Sequence, residues 1–276
     1  MKKVIVTLVA LMTATVWIGT QASPETDRAA FEKFFTQKFP NTPTADFVNG
    51  VYSIHAPSRA QWEEIEEFPP YELSIDAGKT EWNKAFANGK TYADCFENEG
   101  AVRGSYPYWD SDRKEVITLE LAVNECRTAN GEEPLKYSKG KMADISAYMS
   151  YQSRGQEINV VIPDDADAMA AYDRGKEFFY SKRGQLNFSC FDCHGGGAGS
   201  MVRADTLSPA YGHTSHFPVY RSKWGGMGTL HRRFGGCNKQ VRAKPFKSQS
   251  PIYRELEYFL TYMNNGLVYN GPGARK

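Results

Sequence analysis

The chain has 276 residues, with 33 Lys and Arg against 32 Asp and Glu, and 41% of it is hydrophobic. That length allows one large domain or two of ordinary size, and the apolar content supplies real cores, with 24 Gly and 14 Pro implying much loop between them. After the N-terminal leader nothing resembles a membrane-spanning segment, so a soluble mature chain is expected.

Met1-Lys2-Lys3 is basic, the run from Val4 to Ile18 is apolar, and Thr20-Gln21-Ala22 precedes Ser23. These are the parts of a secretory signal over residues 1–22, with an uncleaved anchor as the alternative. Export to an oxidising compartment such as a bacterial periplasm follows. From Glu25 to Phe39, Ala30, Phe31, Phe34 and Phe35 set among charges predict a short amphipathic helix ended by Pro40. Residues 41–75 read as irregular, with four prolines and an acidic run at Glu63–Glu67 that is assigned no function. Leu73 to Asn88 reads as helical in its second half, with Trp82, Ala85 and Phe86 on one side.

The chemistry centres on Cys190-Phe191-Asp192-Cys193-His194, a CxxCH sequence. Two cysteines at this spacing can each form a thioether to a haem vinyl group, and the adjacent histidine then reaches the iron as proximal ligand. The alternatives are a thioredoxin-like redox pair, which wants a βαβ setting, and half of a zinc site, which wants a second close ligand pair.

The two halves of the chain resemble each other. Cys95-Phe-Glu-Asn-Glu-Gly100 lies over Cys190-Phe-Asp-Cys-His-Gly195, and Gly89-Lys90 is set against Gly175-Lys176. At a constant offset of 111, Cys126 meets Cys237, Pro134 meets Pro245, Tyr151 meets Tyr262 and Gly155 meets Gly266. The expected fold is therefore mostly α, with two tandem cytochrome-c-like domains and long irregular loops. The first spans 50–162 and lacks haem, because Asn98 and Glu99 stand where the second has Cys193 and His194. The second, 165–276, binds haem, and Pro163-Asp164-Asp165 joins them. Closing helices are predicted at Lys141–Arg154 and Ile252–Gly266. Cys95 and Cys126 are natural disulfide partners, worth about 3–4 kcal/mol by chain entropy, the alternative being two buried free thiols.

Cys237 is then left over and becomes a candidate distal ligand to iron; Met201, Met227, His213, His216 and His231 compete for that place. Between Thr206 and Arg254 there are nine Lys and Arg and no Asp or Glu, whereas Ser23 to Asp173 holds 15 basic and 27 acidic residues. Five of the nine cations, Arg232, Arg233, Lys239, Arg242 and Lys244, lie close to Cys237 in sequence. Cations favour a thiolate and draw anions to a cleft, so a small anionic substrate is expected. A solvated basic face is the plain alternative, and nucleic acid is disfavoured because no recognised motif is present.

Cys190-Phe-Asp-Cys-His194 and Arg233-Phe-Gly-Gly-Cys237-Asn-Lys-Gln-Val-Arg242 resemble the SoxA family, the larger cytochrome subunits of SoxAX complexes in the bacterial sulfur-oxidising system. The resemblance covers nearly the whole mature chain and points to the single-haem class, in which a disulfide replaces the first site. It implies one covalent haem c with iron held by His194 and Cys237, the latter often a persulfide, and Arg233 in the substrate channel. It implies a thiosulfotransferase that joins thiosulfate to a cysteine of a SoxYZ-type carrier, working with a SoxX-type cytochrome subunit in the periplasm. Lys239 and Arg242 would steer substrate or carrier. The rival readings are a plain electron-transfer cytochrome and a scaffold subunit.

Overall fold

The computed structural model describes residues 23–275, so the expected signal over 1–22 lies outside the described residues. Helix α1 (Pro24–Lys38) opens where Ser23 Oγ accepts the Thr26 amide and Pro24 fills the first turn, where a missing N–H costs nothing. It buries Phe31 and Phe35. The stretch 41–75, expected to be irregular, instead holds a 3₁₀ segment (Thr44–Ser53), α2 (Ala56–Glu66) and the start of α3 (Glu72–Trp82). Proline misleads here because Pro57 sits in the first turn of α2, behind the cap from His55 to the Ser58 amide, and starts that helix rather than breaking it. Helix α3 stops at Trp82, short of the expected Asn88, and Phe86 enters the core from the turn that follows.

The remaining elements are β1 (Tyr108–Asp110), β2 (Glu115–Ile117), α4 (Leu119–Ala129), α5 (Lys141–Gln152), α6 (Ala166–Tyr180), β3 (Met201–Val202), β4 (Asp205–Thr206), β5 (Val219–Arg221), β6 (Gly226–Gly228), α7 (Leu230–Gln240), α8 (Pro251–Tyr262) and β7 (Gly273–Arg275). Helices dominate. The strands form two short hairpins, β1–β2 and β3–β4, and a three-stranded sheet ordered β6-β5-β7 whose β5–β7 pair is parallel. No helix among the described residues is long and apolar enough to cross a membrane.

Elements recur at the offset read from the sequence. Hairpin β1–β2 and helix α4 return, 111 residues on, as β5–β6 and α7. The helix pairs α3/α5 and α6/α8 each cross at a glycine. A Cβ on Gly78 would lie 2.0 Å from Asp144 O and 2.9 Å from Tyr148 Cβ; one on Gly175 would lie 2.1 Å from Glu255 O and 3.0 Å from Phe259 Cβ. Only glycine lets the backbones come this close. The structural partner of Gly175-Lys176 is therefore Gly78-Lys79, not Gly89-Lys90 as the sequence comparison had it. Gly89 has nothing near its Cβ position.

Contacts between the halves come in exchanged pairs. The Gly155 amide donates to Tyr269 O (2.9 Å) and that of Gly266 to Ile158 O (3.0 Å); the Ile158 amide donates to Leu267 O (2.9 Å) and that of Tyr269 to Gln156 O (2.7 Å). Such reciprocity is the signature of a two-fold, isologous contact. The helix caps follow it: Thr118, ahead of α4, bonds Gln249 Oε1 at 2.7 Å, and Thr229, ahead of α7, donates to Tyr137 O at 3.0 Å. Between them, buried Arg103 pairs with Glu120 at 2.9 Å and lies 4.0 Å from Glu257, which in turn meets His231 at 3.1 Å. Burying these charges is tolerable because each is paired.

Each half has its own aromatic core. In the first, Trp82 packs on Phe96 (6.0 Å) and Tyr148 (5.6 Å); in the second, Phe179 packs on Phe191 (6.2 Å) and Phe259 (5.6 Å). Helix α1 joins the second core, with Phe34 5.3 Å from Phe191. It thereby props the Cys190–His194 turn from behind.

Candidate functional site

Cys190, Cys193 and His194 sit on a tight turn, continued as a π-helical segment over Asp192–Gly196. Ser189 and Asp192 lock its start: the Ser189 amide donates to Asp192 Oδ2 (2.8 Å) and the Asp192 amide to Ser189 Oγ (2.9 Å). This fixes the first cysteine against the second. His194 Nδ1 lies 2.9 Å from Ser208 O, which makes Nδ1 the N–H donor and leaves Nε2 with a free lone pair.

That imidazole acts on the Cys237 sulfur, whose pKa it helps to lower. Cys237 comes from α7, whose orientation is set by buried neighbours. Asn238 donates to Tyr253 Oη (2.5 Å), and Phe234 packs on Tyr253 with ring centres 5.6 Å apart. Arg233 precedes Cys237 by one helical turn, so both occupy one face of the helix. The thiol is enclosed enough for burial to oppose ionisation, but Arg233, His194 and Arg221 outweigh it and its pKa falls to about 7. Burial instead pushes Cys190 up to about 11 and also raises Cys193. Of the three unbridged cysteines, only Cys237 is held in an activating field.

The other expected competitors for the iron are elsewhere. Met201 is 63% exposed on β3, and Met227 is buried against Tyr71, Ala143 and Ala147. His216 Nδ1 bonds Val48 O and His231 meets Glu257. His213 lies beside His194, with ring centres 4.5 Å apart, but its Nε2 is taken by Ser208 Oγ at 2.7 Å. Burial holds the imidazoles of His213 and His216 well below the usual histidine range, so both are neutral.

Lys239 and Arg242 lie exposed, away from the thiol's immediate surroundings. Arg232 donates to Met227 O and stacks over Trp224 at 4.2 Å, turned away from Cys237. Arg221, which the sequence reading counted among the basic residues without singling out, adds a smaller charge effect that lowers the thiol's pKa. Its place on β5, far upstream of Cys237 in sequence, gave no signal; only the folding of the sheet beside α7 brings it in. In the first half Cys95 and Cys126 form a disulfide, S–S 2.08 Å. Two clefts of 270 and 290 Å³ flank Arg275, and neither is lined by Cys237 or His194.

No group of three or more His, Cys, Asp or Glu among the described residues suits a bare metal ion. A CxxCH turn whose histidine acts on a further cysteine sulfur suits an iron that brings its own porphyrin nitrogens, and this defines a c-type cytochrome. The profile of the family described as SoxA/TsdA, cytochrome c domain, matches residues 77–158. The chain is 59% identical to the L-cysteine S-thiosulfotransferase subunit SoxA of Allochromatium vinosum, over 95% of each chain. It is 55% identical to that of Chlorobaculum tepidum, over 99% of this chain and 95% of the relative. A crystal structure of SoxXA from P. pantotrophus superposes with a TM-score of 0.72 at 34% identity, covering 79% of this chain and 84% of the other. The chain belongs to the family of L-cysteine S-thiosulfotransferase SoxA subunits.

Proposed function

We propose that this chain carries one covalently attached haem c and joins thiosulfate to a cysteine of a SoxYZ-type carrier protein, with a SoxX-type cytochrome as its partner subunit in the periplasm. It is read as two tandem cytochrome-like units, 50–162 and 165–276. The first is haem-less, because Cys95 is committed to its disulfide and Asn98 and Glu99 replace the second cysteine and the histidine. In the second, Cys190 and Cys193 supply the thioether sulfurs, and His194 and Cys237 the axial ligands. What carries this reading is a CxxCH turn whose histidine, with Arg233, lowers the pKa of the unbridged Cys237.

When bound, haem supplies a one-electron relay whose potential is lowered by a thiolate ligand. The protein's own residues do the rest. Arg233 presents a planar donor fork to the sulfonate oxygens of thiosulfate and offsets their charge. Cys237, as thiolate or persulfide, faces the sulfane sulfur and serves as nucleophile or relay. Overall, carrier-SH and S₂O₃²⁻ become carrier-S–S–SO₃⁻; one S–S bond forms, one proton is released, and two electrons leave to the cytochrome acceptors.

Replacing Cys237 by Ala should abolish thiosulfate-dependent reduction of a cytochrome acceptor in the presence of carrier, and should alter the low-spin haem spectrum. Normal turnover by that variant would sink the proposal. Intact mass with peptide mapping should find one haem on Cys190 and Cys193 and two hydrogens missing at Cys95 and Cys126.

A further inference from the structure

The haem motif and the hairpin-plus-helix unit do not recur at one offset. Cys190 lies 95 residues after Cys95, whereas Cys237 lies 111 after Cys126, so sixteen more residues separate the two in the second half. The addition belongs to the stretch between Gly195 and β5, which holds the β3–β4 hairpin and the strand-free segment from Ser208 to Thr214. The returning arm of this stretch holds His194 at two points. His194 Nδ1 donates to Ser208 O at 2.9 Å, and the Ala210 amide donates to His194 O at 2.8 Å. Its far end is tied to the core: the Gly212 amide donates to Asn264 Oδ1 (2.7 Å), and Asn264 Nδ2 donates to Thr214 Oγ1 (2.9 Å) from a fully buried position. A Cβ on Gly212, whose φ is +88°, would lie 2.0 Å from Phe47 O, so the segment is wedged against the chain ahead of α2.

Ser208 is the joint of this arm. Its carbonyl accepts from His194 Nδ1, while its hydroxyl lies 2.7 Å from His213 Nε2. Pro209 follows and restricts Ser208 to extended backbone, so hydroxyl and carbonyl turn together. His213 stands edge-on to His194, with ring centres 4.5 Å apart and planes at 72°, and its own amide donates to Ala210 O at 3.0 Å. A histidine that binds a metal through one nitrogen has its orientation and basicity set by what its other N–H meets. Here that partner is a carbonyl whose residue is latched from the side.

We propose that Ser208 and His213 are positioning residues for the axial imidazole: the bond between the hydroxyl and His213 Nε2 holds the Ser208 carbonyl on His194 Nδ1, fixing the plane of that ring and strengthening its donation to iron. The proposal rests on the reading of His194 as an axial ligand, made above. His213, a competitor for the iron in the sequence, has its Nε2 committed to the residue behind the ligand instead. A firmer bond at Nδ1 makes the imidazole a stronger donor and favours ferric haem. Loosening it moves the balance toward ferrous.

The test uses the haem-loaded full chain, read by potentiometric titration of the haem and by its low-spin paramagnetic-resonance spectrum, neither of which needs turnover. Ser208→Ala and His213→Leu should each lower the ferric-to-ferrous ratio at the parent's midpoint about three-fold or more and shift the g-values, as loss of a ligand's outer partner requires. Ser208→Thr, which keeps the hydroxyl, should restore the parent values. Should His213→Leu lose its haem, His213→Asn, whose shorter side chain does not reach Ser208 Oγ, decides on the same two readings. Midpoints and g-values unmoved in Ser208→Ala and in the folded His213 variant overturn the brace, whatever their stability in urea melts. His194→Ala keeps the two readings apart. An unchanged low-spin spectrum there removes the ligand reading and the brace with it, whereas a changed one beside unmoved Ser208 and His213 variants removes the brace alone.

Discussion

The two halves of the chain use one scaffold with different covalent closures. Helix pairs α3/α5 and α6/α8 cross at matched glycines, and the hairpin-plus-helix units β1–β2–α4 and β5–β6–α7 follow at one offset. In the first half the cysteines of the two corresponding positions, Cys95 and Cys126, are bridged. In the second the same positions hold Cys190 and Cys237, both free thiols near one another. The difference follows from their neighbours. With Asn98 and Glu99 where the second half has Cys193 and His194, Cys95 has Cys126 as its thiol partner, and oxidation to a disulfide is its stable end. Beside the other pair stand Cys193 and His194, and Arg233, His194 and Arg221 lower the pKa of Cys237. A position that staples the fold in one half is thus an unbridged thiol of lowered pKa in the other.

The comparison is most strongly tested at the staple. Closing a loop with a sequence separation of 31 residues, the disulfide should contribute about 3–4 kcal/mol. The double variant Cys95→Ser, Cys126→Ser should lose that much in urea melts, yet keep its haem spectrum and turnover well below the new midpoint. Loss of activity without loss of stability would mean that the first half takes part in the chemistry. Next in size is the glycine pair. Gly78→Ala and Gly175→Ala each drive a methyl into a carbonyl oxygen, and overpacking of this kind costs about 2 kcal/mol. Equal costs are expected, but only Gly175→Ala should shift the haem spectrum, since α6 leads into the CxxCH turn and α8 carries Tyr253, which holds Asn238 beside Cys237. A shift from Gly78→Ala of the same size would break the division of labour.

What the sequence disclosed depends on how local the cause was. The CxxCH motif and Cys237 stood out in the sequence because cofactor and sulfur chemistry need particular side chains at particular spacings, and the fold brings Cys190, Cys193 and His194 into electrostatic range of Cys237. The offset of 111 was legible because the stretch from hairpin to closing helix recurs without insertion. The match of Gly175 with Gly89 failed because the connection between the first helix and the first cysteine differs in length between the halves, and only the helix crossing identifies Gly78. Helix α2 was hidden by reading Pro57 as a breaker. The short strands gave no periodic signal, and with them went Arg221, whose role depends on a non-local strand pairing. Cations adjacent to Cys237 in sequence drew notice, yet Arg232 lies over Trp224, while the more distant Arg221 is among the charges that lower the thiol's pKa.

The smallest expected effect separates stability from function. Thr118 Oγ1 accepts the Leu121 amide at 3.2 Å and bonds Gln249 across the halves, so it caps α4 and ties the units together. Thr229 makes no side-chain cap on α7; its hydroxyl serves the inter-half bond to Tyr137 O alone. Thr118→Ala should therefore cost about 1 kcal/mol, the usual worth of a cap, and Thr229→Ala somewhat less, near that of one hydrogen bond. The functional order should reverse. Thr229 anchors the start of the helix that carries Arg233 and Cys237, whereas Thr118 anchors the helix that carries the stapled Cys126. Thiosulfate KM and the haem spectrum should thus move in Thr229→Ala and stay fixed in Thr118→Ala, although the latter melts earlier. If the earlier-melting variant also shows the larger shift in KM, the first half influences the site through overall stability alone, and the link from Tyr137 to α7 carries no positioning role.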